Sequence, residues 1–384
     1  MARLGDIGKI VTGNTPKTSE SQNYTSNDIC FVKPSDIADG IVTCLNDSEF
    51  YISEYARAKA RILPPKSVLV TCIGIIGKVA INDVECAFNQ QINAIIPDNS
   101  KCLTEYLAYA IQNKQPEMQD VANAPVVPIL NKTQFSDIEI NLPSLTEQEE
   151  IVGKLNAVSR LIALRKAQLA KLDQLVKSRF VELFGTTGKQ VSLTDYVWFQ
   201  EGPGVRSVDF TDDGTILLTG SNINDNIISF GHKSDRHISN ELASGKYAHF
   251  MCDKDDILVV SSAIDPDKFD KKVVVVDVDK KYCLNTGIIR FKPNKQYLTL
   301  RYFREFLKTD YFKHQVSSEM RGIAQMHFGP SHLKQMTILL PDSIESQIEF
   351  EKFVQQTDKS KLAIQQSLDK LELLKKSLMQ EYFG

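Results

Sequence analysis

The sequence lacks paired cysteines. Its seven cysteines (Cys30, Cys44, Cys72, Cys86, Cys102, Cys252, Cys283) stand singly, with no C-x-x-C among them. Zinc ligation and a disulfide framework are therefore not expected, and a reducing compartment fits. Long apolar runs are missing too. Val273–Val276 is among the longest, far too short to cross a bilayer. The opening Met1-Ala2-Arg3-Leu4-Gly5-Asp6 has no apolar signal core, so no membrane contact and a cytoplasmic location are expected. Nor is there an excess of positive charge. The 45 Lys and Arg against 48 Asp and Glu leave a net −3, so nucleic-acid binding would have to rest on local placement of cations.

Several catalytic patterns are absent as well. There is no G-x-x-x-x-G-K-[ST] phosphate loop, no F-x-G-x-G followed by N-P-P-[FY] or D-P-P-[FY], and no G-x-S-x-G elbow. ATP hydrolysis, adenine methylation and serine-hydrolase chemistry are thus not expected of this chain, and neither are a cofactor or a catalytic centre. The six histidines do not fall at metal-ligand spacings. One stretch imitates a Mg²⁺-dependent nuclease, with Pro266-Asp267 and Asp279-Lys280-Lys281 around an apolar run. Carboxylates at strand ends beside a lysine are what such sites need, but a charged turn flanking a strand accounts for the same residues.

What the chain does have is an internal repeat. Leu142-Pro143 through Gly185 returns as Leu340-Pro341 through Gly384; Lys171-Leu172, Lys177-Ser178, Glu182 and Phe184 recur as Lys370-Leu371, Lys376-Ser377, Glu381 and Phe383. Thr146-Glu147-Gln148-Glu149 after Pro143 reads as a helix start, and Gly185 as its stop. Apolar residues recur at heptad spacing. Ile151, Leu155, Val158, Ile162, Leu169, Leu172 and Val176 form the seam of the first copy; Phe350, Val354, Ile364, Leu368, Leu371 and Leu378 form that of the second. Arg165, Arg179, Lys361 and Lys375 interrupt the two seams at different levels, which suits a specific heteropair. Two unrelated amphipathic helices would leave the matched boundaries a coincidence.

The stretches before the helices also correspond. Phe88-Asn89, Ile92, Ile95 and Pro97 align with Leu284-Asn285, Ile288, Phe291 and Pro293; Val68-Leu69-Val70 with Ile257-Leu258-Val259; and Tyr106-Leu107 with Tyr302-Phe303. Residues 67–82 and Val273–Val276 read as buried strands, 104–114 and 299–312 as helices. Polar loops on this frame supply candidate DNA contacts, since Arg, Lys, Asn, Gln and Ser read base edges and cations grip phosphates. In the first half these are Thr15, Lys17, Lys33, Ser35, Arg57, Lys59, Arg61, Lys78, Asn89, Gln90 and Gln91. In the second they are Arg206, Ser221, Asn222, Lys233, Arg236, Lys268, Lys271, Arg321, Gln325 and His327.

Taken in order, the chain resembles the specificity subunits of type I restriction–modification systems over its whole length. The resemblance rests on Gly13-Asn14-Thr15-Pro16, Val32-Lys33-Pro34-Ser35-Asp36-Ile37 with Gly40, Gly74-Ile75-Ile76-Gly77-Lys78, Asn89-Gln90-Gln91 and the helix start Leu142–Gln148. The second half departs from it: Ser262-Ala263-Ile264-Asp265-Pro266 replaces the Gly-x-x-Gly stretch, and Thr286 stands for Gln90. The resemblance implies an α+β chain with two mixed α/β target-recognition domains (1–141 and 186–339). A helical spacer follows each (142–185 and 340–384), and the two helices pair as an antiparallel coiled coil in a pseudo-twofold repeat. It further implies that the chain reads a bipartite double-stranded DNA target, with the helices as a ruler. Two methyltransferase subunits would carry S-adenosylmethionine, and restriction–translocase subunits would carry ATP and Mg²⁺. A metal-dependent nuclease and a coiled-coil scaffold unconnected with DNA are the alternatives.

Overall fold

The computed structural model describes residues 1–122, 128–185, 188–231, 233–318 and 327–384. The chain condenses into two compact units, residues 1–167 with 365–384 and residues 168–364. Both long helices are continuous, Leu145–Phe184 and Ile344–Phe383, of 40 residues each. The unit boundaries therefore cut through the helices rather than at their starts.

In the first unit, Gly8–Thr12, Ile92–Pro97, Val68–Thr71, Val79–Asn82 and Val42–Leu45 lie side by side in that order. Val68–Thr71 is buried at every position, because successive side chains point to opposite faces and both faces are covered. Val68 and Val70 meet Tyr106, Leu107 and Ile111 of the helix Thr104–Asn113. Leu69 faces the other way, toward Val32, Leu63 and Phe88. Those three come from a second sheet, ordered Tyr51–Ile52, Ile29–Val32, Cys86–Phe88, Ile62–Leu63. The layers are thus helix, sheet, sheet. The near-unbroken apolar run that suggested strand in the sequence is the middle layer.

The second unit repeats the plan. Val197–Glu201, Ile288–Pro293, Ile257–Val260 and Val273–Val275 form its main sheet. A second sheet orders Phe210–Thr211, Arg236–Ile238, Thr215–Leu218 and Tyr282–Leu284. Registers correspond across the repeat: Gly8 opposes Pro97 as Val197 opposes Pro293, and Cys30 runs parallel to Cys86 as Ile216 does to Tyr282. The helical stretch read as 299–312 is two helices, Leu300–Phe306 and Asp310–Ser318. Phe306 and Leu307 end the first, and the Thr309 hydroxyl accepts from the Phe312 amide to start the next.

Within each unit the two long helices run antiparallel. Lys154 reaches the Tyr382 hydroxyl at 3.0 Å and Lys166 meets Glu372 at 2.9 Å in the first unit. In the second, Asp173 pairs with Lys361 and Arg179 with Glu349. All thirteen seam residues are buried or half-buried. In the second unit Phe180, Phe184, Tyr302 and Phe350 close into an aromatic cluster with ring centroids 4.8–5.6 Å apart. In the first, Phe383 packs on Tyr106 at 5.3 Å. Two buried glutamines fasten the helix starts. Gln148 accepts from the Leu103 amide and donates to the Lys101 and Pro143 carbonyls. Gln347 accepts from the Thr299 amide and donates to the Tyr297 carbonyl. Among the described residues, no helix is long and apolar enough to cross a membrane.

Candidate nucleic-acid interface

Each main sheet has two ends with different fates. At one end, beyond Pro97 and Pro293, the chain turns into the helix that Gln148 or Gln347 fastens. At the other end three loops converge, after Thr12, after Thr71 and at Asn89–Gln91 in the first unit. The six residues of Ile92–Pro97 separate the two ends by roughly 17 Å of extended strand.

At this rim the loops are knitted by side chains. Thr15 donates to the Gln90 amide oxygen at 2.7 Å. Asn14 donates to the Lys59 carbonyl and accepts from the Arg61 amide, while the Arg61 guanidinium bonds the Thr12 carbonyl. Asn89 donates to the Gln91 amide oxygen and accepts from the Gln91 backbone. Gly13 sits where a Cβ would fall 2.1 Å from the Asn89 carbonyl, so only glycine lets the first loop lie on the third. Seven of the first-half candidates therefore gather in or beside one patch: Thr15, Lys17, Lys59, Arg61, Asn89, Gln90 and Gln91.

Several cations proposed as DNA contacts are already engaged. Arg57 is held between Glu54 and Glu85 at 2.5 and 2.7 Å, and the two carboxylates push its guanidinium further toward the charged form. Lys59 pairs with Glu20, which raises the ammonium and lowers the carboxyl. Lys33 stands over the Phe50 ring at 3.0 Å, next to exposed Ser35. Lys78 donates to the Pro34 and Ile37 carbonyls at 2.8 and 2.5 Å. Its charge closes a turn inside the unit instead of presenting itself outward. Gly74 and Gly77, both at positive φ, form the turn that leads into it.

The second-unit candidates are more scattered. Ser221 shares hydrogens with Thr219 and Ser234. Asn222 does not fit the role of base reader: it is 1% exposed and spends its amide on the Ser229 carbonyl and Asp235. Arg236 bonds the Lys233 and Asp235 carbonyls. Lys268 pairs with Asp265 and Lys271 with Asp225. His327 meets the Ser262 hydroxyl at 2.9 Å. Arg321 and Gln325 lie outside the described residues, as do the side chains of Pro266 and Asp267. Lys17, Arg206 and Lys233 are exposed and make no ion pair among the described residues.

The nuclease-like stretch is a short 3₁₀ helix, Pro266–Lys271, a strand, Val273–Val275, and a turn. Asp279 accepts from the Lys254 amide, and Lys280, at positive φ, pairs with Asp253. Among the described residues no three His, Cys, Asp or Glu side chains converge as a metal site.

Four rim residues were not among the candidate contacts: Ile73 and Ile129, and Ser262 and Thr286, which the sequence shows only as departures from the first half. Ile73 and Ile129 form an isolated bridge in the first unit. Ser262 and Thr286 line a cavity of about 270 Å³ in the second, with Glu201, Ser261, His327 and His332. The signal that would have found them was the alignment of the two halves around Asn89 and Asn285, extended outward from those asparagines.

Comparison with known proteins gives the same direction. The specificity subunit of type I restriction enzyme MjaIX from Methanocaldococcus jannaschii is 30% identical over 186 residues, covering 47% of this chain and 43% of that protein. That of HindI from Haemophilus influenzae is 33% identical over 147 residues, covering 38% and 32%. These matches span less than half of either relative. A crystal structure of the type I restriction–modification S subunit from M. genitalium shares the fold, with a TM-score of 0.56 at 13% identity over 100% of this chain and 95% of that one. The family model of the type I restriction modification DNA specificity domain matches residues 1–174 and again residues 189–374, and the chain belongs to that family.

Proposed function

We propose that this chain reads DNA sequence for a type I restriction–modification complex, each domain taking one half of a bipartite target, and that it contributes no catalytic centre. The observation that carries the reading is the duplication: two domains on one frame, each fastened to a long helix by a buried glutamine. Two similar modules on paired helices suit two half-sites and an unread gap. A helix of 40 residues is about 60 Å long at 1.5 Å per residue. Polar side chains gathered at the sheet end away from the helix supply base-edge hydrogen bonds. Exposed Lys17, Arg206 and Lys233 supply phosphate contacts despite the net negative chain.

The complex would include two methyltransferase subunits carrying S-adenosylmethionine and restriction–translocase subunits using ATP and Mg²⁺, all in the cytoplasm. No cofactor is assigned to this chain. Long-read mapping of methyladenine tests the reading in cells that express the chain with its methyltransferase subunit. The expected result is a bipartite motif with a fixed gap, of which one half alone changes when residues 1–141 are exchanged. A continuous motif, or methylation independent of this chain, would overturn it and favour the scaffold.

A further inference from the structure

The duplicated domain serves as its own alignment, and superposing its hydrogen bonds separates frame from readout. Gly13 donates to the Ile92 carbonyl at 3.1 Å and Gly202 to the Ile288 carbonyl at 3.0 Å. A Cβ on either would fall 2.1 Å from a carbonyl oxygen, that of Asn89 or of Asn285. Cys72 donates to the Gln91 carbonyl and Ser261 to the Gly287 carbonyl, both at 2.8 Å. Leu130 donates to the Cys72 carbonyl and Phe328 to the Ser261 carbonyl, both at 2.9 Å. The backbone at the rim is thus the same structure twice.

Those bonds fix which residues are equivalent. Ile73, after Cys72, corresponds to Ser262, after Ser261. Ile129, before Leu130, corresponds to His327, before Phe328. Gln90, after Asn89, corresponds to Thr286, after Asn285. In the first domain the backbones of Ile73 and Ile129 pair as an isolated antiparallel bridge, and at the matching place in the second the Ser262 hydroxyl meets the His327 imidazole.

Identity and difference are distributed unequally between the two ends of the frame. At the helix end the repeat keeps glutamine for glutamine and tyrosine for tyrosine. Tyr106 donates to the Asn141 carbonyl as Tyr302 does to the Leu339 carbonyl. At the rim Gly13/Gly202 and Asn89/Asn285 keep the backbone, while the side chains at these three positions change. A frame reading two different half-sites requires different side chains on the same backbone at this end. The second unit adds an independent mark. The Ser261 hydroxyl lines the rim cavity, is buried, and has no hydrogen-bond partner among the described residues, as expected of a group whose partner arrives with a ligand.

We propose, resting on the DNA-reading function above, that the three equivalent positions 73/262, 90/286 and 129/327 determine which bases each domain accepts. The side chains give the two half-sites different chemistry. In the first domain Gln90, whose amide oxygen also accepts from Thr15, offers a carboxamide that suits adenine, and Ile129, 48% exposed, the apolar contact that suits a thymine methyl. In the second, Ser262, Thr286 and His327 offer hydroxyl and imidazole hydrogen bonds, with the Glu201 carboxylate beside them as an acceptor suited to a cytosine amino group. The first domain's half-site is therefore assigned A·T pairs at its discriminating positions, and the second's at least one G·C pair.

The test exchanges exposed side chains at the rim. Gln90→Thr and Thr286→Gln are made singly in the full chain, expressed with its methyltransferase subunit, and methyladenine is mapped by long-read sequencing. Thermal melts of the purified complexes accompany the mapping. Each variant is expected to lower methylation of cognate sites about tenfold and to change acceptance at one or two bases of one half, leaving the gap and the other half intact. The double variant Ser262→Ile, His327→Ile should likewise alter only the second half. If the wild type gives a bipartite motif and folded Gln90→Thr and Thr286→Gln leave it unchanged, these positions do not determine specificity. If the wild type gives no such motif, the DNA-reading function itself fails.

Discussion

Lys78 and Lys272 close the same turn in two domains whose sequences differ there. The Lys78 ammonium donates to the carbonyls of Pro34 and Ile37. The Lys272 ammonium donates to those of Gly220 and Ile223, and to the Asn224 amide oxygen. Both span a short 3₁₀ turn, Pro34–Asp36 or Gly220–Asn222, whose third side chain caps its own start. Burial draws Lys272 below the ordinary lysine pKa, helped by the Lys268 charge and opposed by the Asp225 carboxylate.

Removing either ammonium takes a charged donor away from two backbone carbonyls inside the unit. Lys78→Met should lower the stability of the first unit by about 2 kcal/mol, measured by urea melts. The salt dependence of DNA binding by the assembled complex should keep its slope. Lys17→Ala should do the reverse, leaving stability unchanged and reducing that slope by about 1.

The glutamine fastenings are each a single side chain satisfying two or three buried backbone groups. Gln148→Leu and Gln347→Leu leave those groups unpaired, and each should lose about 2 kcal/mol. Hydrogen exchange should rise at Leu103 in the first variant and at Thr299 in the second, each without effect on the other unit.

Phe350 is fully buried among Phe180, Phe184 and Tyr302. Phe350→Ala opens a cavity there and should cost about 3–5 kcal/mol, while Phe350→Leu should recover most of it. Calorimetry that finds both variants equally unstable would mean that ring contacts, not volume, hold the cluster.

Asp253 accepts from Lys280 and Lys292, and these two ammonium groups pull its carboxyl down to about 2. A carboxyl depressed in the folded state stabilises it at all pH values above the unfolded carboxylate range, and that stability drains away as pH falls toward 2. Asp253→Asn should therefore flatten the melting temperature between about pH 4 and pH 2 and leave little change in slope above pH 5. Asp253 is about a third exposed, so the effect is modest at high salt.

Much of this was legible in the chain. The repeat, the strand pairs around Asn89 and Asn285 and both helix seams were visible because burial on two faces and heptad packing impose periods that a sequence displays. The role of Lys78 was not, since a lysine bonded to carbonyls forty residues away in the chain has the same local sequence as one on a phosphate. Asn222 was misread for a related reason: its partners, Ser229 and Asp235, lie across a loop whose path no period encodes. The rim isoleucines escaped notice because isolated apolar residues look like core until the fold shows them at an edge.

The second unit is assembled from one uninterrupted stretch, residues 168–364, whereas the first needs residues 365–384 to cover Tyr106 with Phe383. During synthesis residues 365–384 of the first unit therefore emerge only after the whole of the second. The domain made first is finished after the domain made second, and until Phe383 emerges the earlier domain carries an uncovered apolar face. Mutations weakening that contact would show themselves in yield and chaperone dependence well before they altered any motif.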